Sequence, residues 1–221
     1  MNLFDKIKKD KYMVIDNFLS YEHIDEIKKE VVNNRMLPLS FCGDSIAGSS
    51  QFIEKKIKQT KNKNIIRSSQ LVHVLYHQEL ETESPLFSTA FHLKDHKSPY
   101  YNLMVGSVLY KLLRYQTNFI VHRAKINLKL PTPKTNKDSF DGPHTDTSKR
   151  HLVLIFYLHD CDGDTFFLNE KDYSVLNRIS PKENRLLVFD GAITHAAGFP
   201  INSPYRYVVN FNIFPERDNN D

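Results

Sequence analysis

Glycine is scarce in this chain of 221 residues: there are seven, at Gly43, Gly48, Gly106, Gly142, Gly163, Gly191 and Gly198. No two are separated by a single residue, so a G-x-G-x-x-G dinucleotide turn cannot form, and no G-x-x-x-x-G-K-[ST] phosphate loop is present. Cysteine is scarcer still. Cys42 and Cys161 cannot staple a chain of this length, and neither sits in a C-x-x-C pair, so the fold must rest on its own core. Tryptophan is absent, which leaves aromatic packing to 15 phenylalanines and 11 tyrosines. No segment approaches the roughly 18 consecutive apolar residues of a membrane-spanning helix. Met1 to Lys11 is charged and lacks the apolar stretch of a secretory signal. The expectation is a cytoplasmic protein with reduced cysteines and no membrane contact. A net charge of +4 is too small to name a partner.

What is present divides into a helix-bearing first half and a strand-rich second half. Tyr12 to Ile15 reads as a short strand. Ser20 is placed to cap a helix that carries Ile24, Ile27 and Val31 on one face, with acids early and lysines late, as the helix dipole favours. Pro38 to Ser50 reads as a loop. A lysine run follows, Lys55 to Lys63, which is read first as a solvated face and second as a phosphate-tracking stretch. Pro99 opens another helix, with Leu103, Met104, Val108, Leu109, Leu112 and Leu113 apolar. From Phe119 onward short strands separated by turn residues predominate. Ile126, Leu128 and Leu130 alternate with Asn127 and Lys129; then come Leu152–Leu158, Thr165–Leu168, Arg185–Phe189 and Tyr205–Ile213. Strands at this spacing indicate a sandwich or barrel.

Three residues of that half form a metal-ligand set. In His144-Thr145-Asp146 an extended backbone directs the imidazole and the carboxylate to one side. His195 follows 51 residues later, after a strand and its turn. Two histidines and one carboxylate are the ligand set of non-haem Fe(II) oxygenases, which leave coordination positions open. Arg206 lies 11 residues further on, inside the apolar strand Tyr205-Arg206-Tyr207-Val208-Val209. Directed inward, an arginine needs an anion, and its planar fork matches a carboxylate. The competing reading is an outward, solvated arginine.

In order and spacing, Pro143-His144-Thr145-Asp146, Leu154 to Leu158, Asp162-Gly163-Asp164-Thr165, Arg185 to Phe189, His195 and Tyr205-Arg206-Tyr207 resemble the iron(II)- and 2-oxoglutarate-dependent oxygenases, with a closer similarity to their prolyl 4-hydroxylase-like branch. The resemblance implies an α+β fold with a mainly β core, a double-stranded β-helix (a cupin-like jelly roll) braced by N-terminal helices. It divides one oxygenase domain, 1–221, into a support region 1–118, a catalytic core 119–215 and a polar tail 216–221. It makes His144, Asp146 and His195 the iron ligands and Arg206 the partner of the distal carboxylate of 2-oxoglutarate. Tyr157 occupies the position whose hydroxyl assists that carboxylate. Asn127 or Lys129 stands in for a tyrosine that the branch often carries before H-x-D. Alternation from Arg206 places Val208, Asn210 and Asn212 on the same face, so Asn210 and Asn212 are cosubstrate, water or substrate contacts. The implied cofactors are Fe(II), 2-oxoglutarate and O2, with ascorbate as a further candidate. The implied reaction is hydroxylation of an unactivated C–H bond, first of a prolyl residue in a protein or peptide, with release of succinate and CO2.

The alternatives are a non-catalytic jelly-roll binding module, and an oxygenase acting on nucleic acid or a free amino acid. Two histidine pairs at helical spacing, His73 with His77 and His92 with His96, compete as metal sites. Val74 and Leu93 stand where a zinc protease would place its glutamate base, and Leu71 to Tyr76 reads as a strand.

Overall fold

A computed structural model of the chain describes residues 2–33, 37–42, 58–60, 62–66, 68–78, 96–115 and 118–216. Lys55, Lys56 and Lys61 of the lysine run, and His92, lie outside them. The chain opens with a helix, α1 (Leu3–Asp10). Its N-cap, Asn2, accepts a hydrogen bond from the Asp5 amide at 2.9 Å, and Leu3, Phe4 and Ile7 are buried. This helix was not expected from the sequence, because three lysines in one short element mask its narrow apolar stripe. Strand β1 (Tyr12–Ile15) follows as expected. Ser20 caps α2 (Tyr21–Ile27) by accepting from the His23 amide, and the helix ends in a π-turn, Lys28–Val32. Ile24, Ile27 and Val31 are buried, as their spacing predicts.

The segment read as a loop contains a strand. β2 (Ser40–Cys42) pairs antiparallel with β3 (Gln70–His77), which also pairs with β4 (His96–Lys97). Three residues carry too little pattern to signal a strand; the partner's backbone makes it. The helix after Pro99 starts as a π-turn, Asn102–Gly106, and continues as α3 (Ser107–Leu112). It buries Met104, Val105, Val108 and Leu112, whereas Leu113, beyond its end, is 44% exposed.

The remaining strands are β5 (Phe119–Lys129), β6 (Leu152–Tyr157), β7 (Thr165–Leu168), β8 (Val175–Ile179), β9 (Arg185–Asp190), β10 (His195–Ala197) and β11 (Arg206–Pro215). The larger sheet runs β1-β9-β6-β11-β5-β3-β2, with β4 beside β3; the smaller runs β10-β7-β8. Every pairing between these strands is antiparallel. This is the expected double-stranded β-helix, a jelly roll.

The continuous apolar run of β6 is explained by what covers each face. Val153, Ile155 and Tyr157 point into the roll and pack with Phe167 and Ile179 of the smaller sheet, and with Leu187, Phe189 and Val208. Leu152, Leu154 and Phe156 point outward, onto a core shared with Phe4 and Ile7 of α1, Ile24 and Ile27 of α2, and Met104 and Val108 of the third helix. Both faces are therefore dry, which removes the apolar–polar alternation of a half-solvated strand. Each fully buried side chain of this size contributes about 1.5–3 kcal/mol of transfer free energy. The helices thus clamp the larger sheet from outside and leave its inner face free to carry polar groups.

β5 differs from its sequence reading. Leu130 lies beyond the strand and is 53% exposed, and the polar alternates Lys125, Asn127 and Lys129 do not face solvent but line the interior of the roll.

Candidate metal centre and adjoining pocket

His144 and His195 meet through a two-way backbone bridge. The His144 amide donates to the His195 carbonyl at 3.0 Å, and the His195 amide donates to the His144 carbonyl at 2.9 Å. The bridge sets the imidazoles side by side and tilted, with ring centroids 4.6 Å apart and planes 49° from parallel. In each ring Nδ1 lies 3.0 Å from the carbonyl oxygen two residues back, Gly142 for His144 and Ile193 for His195. A carbonyl can only accept, so Nδ1 carries the proton and donates it, and Nε2 presents its lone pair. That is the tautomer a metal takes, fixed by backbone.

Asp146 completes the cluster. Its Oδ2 lies 3.8 Å from His195 Nε2, and one donor atom from each of His144, Asp146 and His195 falls within 4.8 Å of the others. The carboxylate is buried, its side chain 6% exposed. Burial by itself would raise its pKa; the Arg123 guanidinium, the two imidazoles and Lys125 outweigh burial and hold it well below the usual carboxylate range. His195 is driven the other way from an ordinary histidine. Burial, reinforced by neighbouring His144 and only partly offset by Asp146, lowers its pKa to about 4. One ligand is thus anionic and another neutral near pH 7, the forms that bind a cation.

A pocket runs from His144 and His195 along the inward faces of β5 and β11. Its far end holds Arg206, which is 3% exposed. Its Nε donates to the Gly163 carbonyl at 2.8 Å and its Nη2 to Thr165 Oγ1 at 3.0 Å; among the described residues no acid pairs with it. The turn Asp162-Gly163-Asp164 shapes this contact. A Cβ on Gly163 would stand 2.9 Å from Arg206 Cδ and 3.1 Å from the Pro200 nitrogen, so only glycine lets the turn close over the arginine stem. Asp162 accepts amide hydrogen bonds from Ile201, Asn202 and Ser203, which outweigh its burial and lower its pKa to about 2.

The other expected residues divide. Asn127 and Asn210 line the pocket, and the amide oxygen of each is buried with no hydrogen-bond partner among the described residues. Turning either amide over would present an N–H2 to an anion instead. Lys129 also lines the pocket, but its ammonium is ion-paired with buried Asp141 and donates to Ser68 Oγ. The Tyr157 hydroxyl shares a 2.7 Å hydrogen bond with Thr165 Oγ1, so it reaches Arg206 through that threonine. Burial raises its pKa, against the opposing pull of Arg206 and Thr165. Asn212 lies on the inward face of β11, as alternation predicts, and contacts Asp146.

Of the competing histidine pairs, His92 and the His77 side chain lie outside what the structure describes, and among the described residues neither His73 nor His96 joins a metal-ligand cluster. His73 sits on a strand, with Nδ1 2.8 Å from the Pro38 carbonyl and Nε2 2.8 Å from Ser98 Oγ. His96 engages the Val74 carbonyl at 3.2 Å. Sequence reasoning missed Arg123, which touches Asp146 directly; counting back in twos from Asn127 and Lys125 would have put it on the pocket face.

Residues 132–214 match the family model described as the 2OG-Fe(II) oxygenase superfamily. The match covers 83 of the 221 residues. It spans both metal-cluster segments and Arg206, and no curated protein matches the sequence. Solved oxygenase structures share the fold across nearly the whole chain. One is an oxidoreductase of the 2OG-Fe(II) oxygenase family from Burkholderia pseudomallei (TM-score 0.59, 12% identity, covering 95% of this chain and 88% of that one). Another is a prolyl hydroxylase from Trichoplax adhaerens, in complex with a hypoxia-inducible factor oxygen-degradation-domain peptide fragment (TM-score 0.55, 16% identity, 96% and 87%). A third is HygX from Streptomyces hygroscopicus with nickel, 2-oxoglutarate and hygromycin B bound (TM-score 0.52, 11% identity, 96% and 85%). Among the described residues, no helix of this oxygenase-fold chain is long and apolar enough to cross a membrane.

Proposed function

We propose that the protein is an Fe(II)- and 2-oxoglutarate-dependent dioxygenase, with His144, Asp146 and His195 as the iron ligands and Arg206 as the seat of the distal carboxylate. The observation that carries this reading is the pairing of two features in one pocket: a His–Asp–His donor set, and a buried arginine with no acid among the described residues to answer its charge. A dicarboxylate that reaches from the metal to Arg206 supplies the missing anion. The donors fit iron, since two imidazoles and one carboxylate leave coordination positions open.

Iron with 2-oxoglutarate and O2 supplies a two-electron oxidation in which one oxygen atom ends in succinate, carbon dioxide leaves, and the other oxygen enters a substrate C–H bond. The chain's own groups do the holding. The Gly142 and Ile193 carbonyls keep the imidazole lone pairs on Nε2. Arg206, fixed by Gly163 and Thr165, takes the far carboxylate in a fork that a lysine could not reproduce. Tyr157 orients Thr165, and Asn127 and Asn210 offer amides along the pocket wall. The protein contributes position and exclusion of water, and the cofactor contributes the chemistry.

A prolyl residue in a peptide is the substrate favoured by the prolyl-hydroxylase-like order of motifs, and the Trichoplax enzyme with its bound peptide shares the fold. The whole chain is read as one domain, since β1 and β3 of the first 118 residues extend the sheet that carries Arg206. The test is mass spectrometry for an added oxygen across proline peptides, free amino acids, aminoglycosides and oligonucleotides, with succinate measured alongside. Succinate with an oxidised proline peptide supports the full reading. Succinate with another oxidised class keeps the oxygenase and removes the prolyl assignment. Absence of Fe(II)-dependent succinate from every mixture overturns both.

A further inference from the structure

The carboxylate of Asp146 is enclosed by a closed ring of three hydrogen bonds. Arg123 Nη2 donates to Oδ1 at 2.8 Å, Asn212 Nδ2 donates to Oδ2 at 2.9 Å, and Arg123 Nε donates to Asn212 Oδ1 at 3.0 Å. Arg123 is 6% exposed and Asn212 is 1% exposed, so the ring is dry. The two donors stand opposite each other in the β5–β11 register, Asn212 facing Arg123. They come from the two strands that carry the pocket, not from the loop that carries Asp146.

We propose that Arg123 and Asn212 are positioning residues for the metal centre: together they hold the Asp146 carboxylate so that Oδ2 alone is offered to the metal, while Oδ1 is retained by the arginine. This rests on the reading of His144, Asp146 and His195 as the ligand set. Three observations carry it beyond that reading. Oδ2 lies 3.8 Å from His195 Nε2, in the cluster where one donor atom from each of the three residues falls within 4.8 Å of the others. Oδ1 is taken up by a charged donor at 2.8 Å, the stronger kind of hydrogen bond, which a second metal–oxygen bond would have to displace. And the ring is planar-group chemistry at each corner, a guanidinium, an amide and a carboxylate, so each member fixes the rotation of the next.

Two consequences follow for the centre. A carboxylate that binds through one oxygen would occupy one coordination position and leave the others open for cosubstrate. The guanidinium also cancels the charge of the ligand carboxylate, so a divalent cation at the centre keeps its full charge toward an incoming dianion. Outer groups that orient a metal ligand typically change metal affinity by about 10–100-fold when removed.

The test uses the full chain, Co(II) as the probe, and the substitutions Asn212→Ser and Arg123→Lys; the second keeps the positive charge but loses the fork. Far-ultraviolet circular dichroism reports whether each variant folds. The expected result is one Co(II) per wild-type chain, a 10–100-fold weaker dissociation constant in both variants, and an altered Co(II) ligand-field absorption spectrum, since the freed carboxylate rotates. A merely structural role would lower thermal stability and leave the spectrum of the loaded protein unchanged. Folded variants with wild-type affinity and spectrum overturn the proposal. Should both variants fail to fold, the wild-type Co(II) complex decides: Oδ2 ligation with Oδ1 still on Arg123 upholds it, and chelation by both oxygens, or by Oδ1, overturns it. A wild-type chain that binds no Co(II) would instead remove the metal centre itself.

Discussion

Replacing Arg206 by Met separates a residue that holds a ligand from one that holds the fold. Arg206 is buried, and its charge has two neutral hydrogen-bond acceptors, the Gly163 carbonyl and Thr165 Oγ1, but no acid among the described residues. Each hydrogen bond from a charged donor contributes about 1.5–3 kcal/mol. Against them stands the cost of taking a guanidinium out of water, several kcal/mol even after relaxation. The two offset to within about 2 kcal/mol, so the ligand-free midpoint should move by no more than ~4–8 °C in a chain of this size. Ligand binding is a different matter. Losing one partner of a buried, hydrogen-bonded charge pair costs about 2–5 kcal/mol, or roughly 30-fold to several thousand-fold in affinity. At 2-oxoglutarate one hundred times its dissociation constant, the native protein gains about 2.7 kcal/mol. With affinity 30-fold weaker, the same concentration gives only ~0.9 kcal/mol. The assay is anaerobic thermal denaturation with Mn(II), with and without 2-oxoglutarate, each protein read against its own baseline. The native protein should shift by about 5–11 °C, and Arg206→Met by ~4 °C at most. An undiminished ligand shift in the variant would refute the assignment of Arg206 as the carboxylate seat. A ligand-free protein that no longer folds would show that the arginine is structural.

Acid should destabilise the metal-free protein in a defined window. The folded-state pKa of His195 is about 4, below its ordinary 6.5, so between those values the unfolded chain binds a proton that the folded chain refuses. Stability therefore falls as pH drops from ~6.5 to ~4, by about 1.4 kcal/mol per pH unit for one such group. Asp146 extends the loss below its ordinary 3.8, where only the unfolded chain is protonated. Melting curves from pH 7 to 4.5 should show a shallower slope in His195→Gln than in the native chain; equal slopes would contradict the burial argument. Gly163→Ala should weaken 2-oxoglutarate binding and leave divalent-metal affinity unchanged, because its Cβ presses on the Arg206 stem and not on the ligand cluster; calorimetric titration of each ligand checks this. Phe156→Ala, which empties a fully buried site packed edge-on to Phe18 at 6.2 Å, should cost about 3–5 kcal/mol in chemical denaturation without changing metal stoichiometry.

Much of this architecture was legible because its signals are local. Ser20 caps a helix, Ile24, Ile27 and Val31 mark its buried face, and the dry run Leu152–Leu158 marks a strand covered on both sides. What escaped depended on partners. β8 presents an almost wholly exposed face and exists through its pairing with β7. β10 is three residues whose place is set by Phe167 on one side and the bridge to His144 on the other. The cluster His144, Asp146 and His195 was readable from residue type and order, since short spacing and a known ligand chemistry constrain it. Arg123 was legible only in part: alternation from Asn127 and Lys125 gives its face, but the partner on that face, Asp146, is set by how the fold brings the His144–Asp146 loop over β5.

The centre itself is tested most directly by succinate formation from 2-oxoglutarate in the native chain, measured with and without added Fe(II) and beside Asp146→Ala. Fe(II)-dependent succinate in the native chain, and none above background in the variant, is the predicted result. Equal succinate from both chains, or none from the native chain with any tested substrate class, would contradict an iron centre built on His144, Asp146 and His195.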